Sequence, residues 1–295
     1  MRAGVIGIGD MGSGLAKNLI QKGFPTIGID LLDHRMKAFI EMGGVAANSP
    51  ADVGQEADAV FIMVMNGREV NEVVLGEHGL VSTLRKGAAI ILTATINPAE
   101  VQALGEALVG TGIHLIDSPV SGGYPGAQNG ALTLMASASK DVLDDFKPVM
   151  EAVSANIHHV GTEPGEGQTV KACLQSLIGS IFSATFEASV LAAKAGVSGE
   201  VLYNVFSTSS AGSVITNTSL ENIIDRKFEG TGSHISTMHK DLTISLALAQ
   251  DLGVPMHTAA AAMQLFHAGK TKHPEGDNWV VTRVIEDIVG AELHR

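Results

Sequence analysis

Gly7-Ile8-Gly9-Asp10-Met11-Gly12 reads G-x-G-x-x-G, directly after a short apolar run and at the opening of a helical pattern. In that setting each glycine has a task. Gly7 permits a tight turn, Gly9 lets the backbone approach a pyrophosphate, and Gly12 lets the helix pack closely on the strand. The helix N-terminus adds unpaired N–H groups and the positive end of its dipole for the phosphates. A strand–helix turn with no ligand could use the same glycines, but it would not call for Asp30. That carboxylate closes the next apolar run, 23 positions after Gly7. There it can accept hydrogen bonds from adenosine ribose hydroxyls, and it would repel a 2′-phosphate. Asp30 could instead cap the following helix. Asp33 adds negative charge nearby and Arg35 is the only close cation, so the pattern favours NAD over NADP.

A second cluster, Asp117-Ser118-Pro119-Val120-Ser121-Gly122-Gly123, closes another apolar run. Ser121, Gly122 and Gly123 offer a hydroxyl and unobstructed N–H donors, a cradle suited to a carboxylate; spacing alone allows a flexible turn equally well. Lys171 follows Gly161–Gly167 (GTEPGEG), with Gln175 and Gly179 four and eight residues later on the same helical face. A lysine near a helix start is usually solvated. Here it sits at the unfavourable end of the dipole, flanked by Val170, Ala172 and Cys173, which predicts burial. An amine held away from water exchanges protons near neutrality. Oxidation of an alcohol by hydride transfer needs such a group, because the hydroxyl proton must leave as the hydride goes to nicotinamide. The 11 histidines show no H-E-x-x-H or comparable spacing, so no metal site is expected. Cys173 is expected in the core, and His158-His159 at the end of an edge strand with a structural role.

These groups need elements to position them. Ala3–Ile8, Pro25–Asp30, Ala59–Met65, Ala88–Thr93 and Ile113–Asp117 are short, rich in Val and Ile, and closed by Gly, Asp, Asn or Thr, which predicts buried strands. Between them Gly12–Lys22, Leu32–Met42, Arg68–Leu75 and Pro98–Val109 predict helices. Strands alternating with helices of this length imply βαβ units and an α/β, doubly wound parallel sheet. The rhythm changes near Gly161. Gln168–Ala195 predicts one long helix and Ser207–Ser213 a connector. Leu242–Leu252 and Ala259–Phe266 predict helices split by Gly253-Val254-Pro255, and Asn278–Leu293 a last amphipathic helix. Two domains are therefore expected, residues 1–163 binding a dinucleotide and residues 164–295 all-helical.

Composition agrees with this plan. A chain of 295 residues, 45% hydrophobic and 17% charged, has material for two packed cores. Its 34 glycines lack the period of collagen and belong in turns and close approaches. A net charge of −12 argues against nucleic acid and anionic membranes as partners. No run approaches 18 uncharged apolar residues, which argues against a membrane span. The apolar stretch after Met1 is cut off by Asp10 and reads as a first strand rather than a signal sequence. One cysteine, Cys173, excludes an internal disulfide and fits a reducing compartment, so a cytoplasmic location is expected.

Together these motifs resemble the β-hydroxyacid dehydrogenase family, whose members act on 3-hydroxyisobutyrate, tartronate semialdehyde or L-threonate. The resemblance is collinear over essentially the whole chain. It comprises GIGDMGSGLAKNL (7–19), Thr95-Ile96-Asn97-Pro98, DSPVSGGYPGAQNGALTLM (117–135), GEGQTVK (165–171) and Lys240-Asp241. It implies a Rossmann-like domain, a long interdomain helix and an all-α substrate and oligomerisation domain, assembled as a homodimer or homotetramer. It further implies that Gly7, Ile8, Gly9, Asp10, Met11 and Gly12 line the pyrophosphate, and that Asp30 with Leu31 meets the ribose. Val64 and Met65 would cover the adenosine side, and Lys240 would close over the cofactor. Thr95 would lie beside the nicotinamide ribose and substrate, and Ser121, Gly122 and Gly123 would hold the substrate carboxylate. Lys171 would be the catalytic lysine, with Gln175 orienting the reacting group. The implied activity is NAD-dependent oxidation of a small hydroxy acid or reduction of the matching semialdehyde. Many relatives carry two asparagines where this chain has Leu174 and Gln175; glutamine can still donate and accept, leucine cannot. Leu92-Thr93-Ala94 stands where a polar start is usual, and Ser210-Ala211-Gly212-Ser213 is similar to the substrate loop of threonate-type members. A non-catalytic cofactor-binding protein and an imine reductase are the alternatives; both are expected to lack a lysine at position 171.

Overall fold

The computed structural model describes residues 1–295. The chain forms two compact units, Met1–Lys171 and Ala172–Arg295. In the first, β1 (Ala3–Ile6), α1 (Asp10–Gln21), β2 (Thr26–Ile29), α2 (Asp33–Glu41), β3 (Val45–Ala46), α3 (Pro50–Glu56), β4 (Ala59–Ile62), α4 (Gly67–Leu75), β5 (Ala89–Leu92), α5 (Pro98–Leu108) and β6 (His114–Asp117) alternate as read from the sequence. They are followed by β7 (Val120–Ser121), α6 (Gly123–Gln128), β8 (Leu132–Ser137), α7 (Lys140–Val153) and β9 (Ser154–Gly161).

The sheet order is β3-β2-β1-β4-β5-β6-β8-β7, with β9 pairing β8. Every pairing from β3 through β6 is parallel; β8 runs antiparallel to β6 and β7 and parallel to β9. The chain leaves β1 toward β2 on one side and returns through β4 on the other, so the switch point of this Rossmann-like sheet lies at the C-terminal end of β1. β1, β4 and β5 are buried along their whole length, because helices cover both faces of a parallel sheet. That explains their continuous apolar runs. Two separate apolar cores form, one on each side: Leu15, Leu19, Phe39 and Phe61 belong to one, Val60, Ile62, Ile90 and Leu92 to the other.

The second unit is helical: α8 (Glu166–Lys194), α9 (Gly199–Thr208), α10 (Val214–Ile224), α11 (Ile235–Asp251), α12 (His257–Lys272) and α13 (Val281–Val289). α8 begins in the first unit and continues through the second. By length and mean hydropathy α8 alone could cross a membrane, yet half of its most apolar window is buried in the protein. Phe182 and Phe186 stack at 5.8 Å and meet Phe266 and Trp279 in the helical core.

Several expectations need correction. The strand expected to reach Ile8 ends at Ile6, because Gly7 turns with φ +86°. β3 and α3, too short to show a period, are not expected from the sequence, nor are β7, β8, α6 and the 14-residue α7. α9 runs to Thr208, so the expected connector begins at Ser209. The last helix is shorter than expected: Asn278–Val280 form a 3₁₀ turn, and left-handed Gly290 ends α13 before Leu293. Cys173 is exposed rather than buried. It stands about 200° around α8 from Lys171, on the face that also exposes Val170 and Leu177.

Candidate active site

The first glycine cluster is built by steric necessity. A Cβ on Gly12 would lie 1.8 Å from the carbonyl oxygen of Gly7, so no side chain fits where α1 meets the turn. A Cβ on Gly9 would meet only the mobile end of Arg35, at 3.4 Å. No side chain caps α1 at Gly9. An uncapped helix start with an open backbone on one side is what a pyrophosphate needs, so these residues fit a dinucleotide.

Asp30 closes this turn from β2. Its side chain is 6% exposed. Oδ2 accepts from the Ile8 N–H at 2.7 Å, and Oδ1 from the Leu32 N–H at 3.0 Å. The Arg35 guanidinium stands 3.4 Å from Oδ2. Asp30 therefore does not cap α2, whose N-cap is Leu32. It fastens the glycine turn to the end of β2. Leu31 beside it is almost fully exposed, Val64 is half-buried and Met65 exposed.

The second cluster is brought to the first by α1 and α6. A Cβ on Gly14 would lie 2.5 Å from the backbone of Ala127, so the two helices touch through glycine. Asn18 Nδ2 donates to Gly14 O at 2.7 Å and to Ala127 O at 2.8 Å. Gln128 Nε2 donates to Asp10 O and to Ser13 Oγ, both at 3.2 Å. Gly122 (φ +127°) and Gly123 (φ +58°) turn the chain from β7 into α6 in a conformation that side chains resist. Ser121 is half-buried and both glycines are exposed, leaving a hydroxyl and backbone donors accessible.

Lys171 is 6% exposed, and its Nζ donates to Val120 O at 2.7 Å, beside Ser121. The predicted burial holds although Val170 and Cys173 are exposed; the helix face, not the flanking residues, decides it. Thr95 is half-buried on the loop between β5 and α5. Gln168 holds that loop: its Oε1 accepts from Ile96 N at 3.1 Å and its Nε2 donates to Ala94 O at 3.0 Å. Gln168 also donates to Asp117 Oδ1 at 3.0 Å. Asp117 Oδ2 accepts from Gly165 N at 2.9 Å and Gln168 N at 3.2 Å, and so caps the start of α8. Gln168 and Asp117 thus tie the Thr95 loop to the start of α8 inside the first unit, while Asn18 and Gln128 tie α1 to α6. Sequence reading missed these four, although all fall within the motifs quoted for the family resemblance.

Burial pushes the Asp117 carboxyl up to about 6, against the pull of the Gln168, Gly165 and Gly167 N–H groups. Raised from the ordinary 3.8, it burdens the fold by about 3 kcal/mol at neutral pH. The sign is fixed: the cost is absent below pH 3.8 and fully present above 6. Thermal or denaturant stability of the wild type, measured against Asp117→Asn, should fall by that amount between those limits. A flat difference would show that Asp117 titrates normally.

In the second unit Gln175 is 6% exposed and Asp241 2% exposed. Gln175 Nε2 donates to Asp241 Oδ2, and Lys240 Nζ stands 2.9 Å from Asp241 Oδ1. Asp241 thereby gathers the expected orienting amide and the expected cofactor lysine. α11 lies close on α8 there: Ser245 Oγ donates to Ala172 O at 2.8 Å, and a Cβ on Gly179 would reach 2.7 Å from Leu242.

A doubly wound sheet with a dinucleotide turn at its switch point, and a buried lysine beside a glycine cradle, define a nicotinamide-dependent oxidoreductase. Comparisons with known proteins agree. Residues 2–161 match the model of the NAD binding domain of 6-phosphogluconate dehydrogenase. Residues 165–285 match the model described as NAD-binding of NADP-dependent 3-hydroxyisobutyrate dehydrogenase. The L-threonate dehydrogenase of Escherichia coli K12 is 33% identical over 288 residues, covering 97% of this chain and 95% of its own. The 2-(hydroxymethyl)glutarate dehydrogenase of Eubacterium barkeri is 29% identical over 294 residues, covering 99% and 97%. The crystal structure of 3-hydroxyisobutyrate dehydrogenase from Salmonella typhimurium superposes with a TM-score of 0.89 at 30% identity, covering 96% of this chain and 99% of that one. The chain belongs to the β-hydroxyacid dehydrogenase family. It is an NAD(P)-binding oxidoreductase of hydroxy acids, acting on CH–OH donors.

Proposed function

We propose that the protein oxidises a small hydroxy acid, 3-hydroxyisobutyrate or L-threonate in type, with NAD, using Lys171 as the acid–base group. The observation that carries this reading is the buried Lys171 Nζ, 2.7 Å from Val120 O and next to the Ser121–Gly123 turn. Nicotinamide, when bound, supplies the hydride acceptor for oxidation. Gly7, Ile8, Gly9, Asp10, Met11 and Gly12 hold the pyrophosphate on the α1 N-terminus, and Leu31, Val64 and Met65 border the adenosine. Ser121 Oγ and the Gly122 and Gly123 N–H groups hold the substrate carboxylate. Val120 O orients the Lys171 amine, which takes the hydroxyl proton in oxidation and returns it in reduction. Thr95, on the loop that Gln168 holds, steadies the reacting oxygen. A panel of L-threonate, 3-hydroxyisobutyrate, glycerate and 2-(hydroxymethyl)glutarate, each with NAD and NADP, tests the reading. Turnover of one acid is the expected result; cofactor binding with no turnover of any acid would overturn it.

NAD is the proposed cofactor because the Asp30 carboxylate faces the phosphate turn and would oppose a 2′-phosphate. Asp30→Asn should weaken NADH binding about tenfold and narrow the NADH-over-NADPH preference, read by fluorescence titration. An unchanged ratio would remove Asp30 from cofactor selection. The bacterial relatives and the lone cysteine support a cytoplasmic setting. Exposed Leu177 and Leu191 on α8 and Val201 and Val205 on α9 support a homodimer or homotetramer. Light scattering that returned the 30.6 kDa chain mass would refute it.

A further inference from the structure

Asp117 and Gln168 take no part in the chemistry proposed above, yet both are completely buried. A buried carboxylate is a costly way to fill space, since a packed apolar group would serve at less expense. Its surroundings show what it accomplishes. The Gln168 amide has only one workable orientation. Turned over, its NH₂ would face the Ile96 N–H and its carbonyl would face Ala94 O. With Nε2 thereby committed as donor, the group opposite must accept, and Asp117 Oδ1 does so at 3.0 Å. The other carboxylate oxygen accepts from Gly165 N and Gln168 N. A carboxylate accepts at every one of these contacts; an amide would set a donor against a donor.

The network spans three segments that each carry a residue of the proposed site. Thr95 lies between the two residues that Gln168 grips. Asp117 precedes Val120 by three positions, and Val120 O receives the Lys171 amine. Gln168 precedes Lys171 by three positions on α8. A Cβ on Gly167 would lie 2.6 Å from Met135 O and 2.7 Å from Asp117 O, so the first turn of α8 is seated on the sheet with no slack.

We propose that Asp117 and Gln168 are positioning residues that hold the Thr95 loop, the Val120–Gly123 turn and the first turn of α8 in register for proton transfer at Lys171. This rests on the reading of Lys171 as the acid–base group. It makes a claim that reading does not: the two buried side chains act on the rate only through the lysine.

The test compares wild type, Asp117→Asn, Gln168→Met, Lys171→Ala and each of the first two combined with Lys171→Ala. The readouts are kcat, the Kd for NADH by fluorescence titration, and circular dichroism. Asp117→Asn and Gln168→Met should each lower kcat at least tenfold while NADH Kd stays within about twofold. Neither should lower it further in the Lys171→Ala background, because residues acting as one unit are not additive. Gln168→Met keeps the test open if Asp117→Asn does not fold. A folded variant with kcat within twofold of wild type overturns the inference, as does an equal further loss in the Lys171→Ala background. Failure of both variants to fold assigns the network to folding and overturns it too. Wild-type turnover in Lys171→Ala sinks the acid–base reading and this inference with it. An impaired Lys171→Ala beside unimpaired Asp117→Asn and Gln168→Met sinks this inference alone.

Discussion

Lys171→Ala should reduce kcat by about 10²–10⁴-fold, the range that a positioned acid–base group supplies. The residue is 6% exposed and its Nζ is aimed by Val120 O at 2.7 Å, so water cannot take its place in the same geometry. NADH affinity should stay within twofold, because no contact of the glycine turn or of Asp30 is lost. Lys171→Arg should not restore the rate. A guanidinium stays protonated at any working pH and cannot accept the hydroxyl proton. Stopped-flow and steady-state absorbance of NADH separate chemistry from binding here. A Lys171→Ala rate within threefold of wild type would leave the lysine without its assigned role.

Gly12→Ala should raise the Kd for NADH by about 10–100-fold. Its added Cβ would sit 1.8 Å from Gly7 O, a backbone atom, so the turn itself must move. Overpacking of this kind costs about 1–3 kcal/mol, and here the displaced atoms form the proposed phosphate cradle. Gly23→Ala makes a useful contrast: nothing lies within 4 Å of a Cβ there, and only its φ of +86° resists the change. That variant should lose some stability while keeping its cofactor affinity. Equal losses of affinity in the two variants would remove the special role of the Gly12 contact.

Much of the first unit was legible because its signals are local. A central parallel strand buries both faces, and an apolar run such as Ala59–Ile62 records that directly. Gly7 and Gly12 announce themselves because only glycine fits a positive φ or a vanishing distance. The long apolar stretch after Gln168 could only be a helix, and it is one. Illegible were the pieces too short to show a period: two-residue β3 and β7, six-residue α6 and the 3₁₀ turn at Asn278. The Cys173 correction has a different cause. Composition makes all of α8 look buried, but which face meets solvent depends on what packs against it.

The candidate site divides along the same line. Residue type and short spacing determined the Gly7–Gly12 turn, the acceptor at Asp30, the Ser121–Gly123 turn and a lysine of unusual placement, since sterics and charge over a few residues suffice for those. Folding alone chose which polar side chains would be taken out of water and who would satisfy them. Asn18 meets Ala127, Gln168 meets Ala94 and Asp117, and Lys171 meets Val120, each across more than 50 positions of chain. Such pairings leave no trace in local periodicity. They are fixed when the sheet closes and every buried donor and acceptor must find a partner.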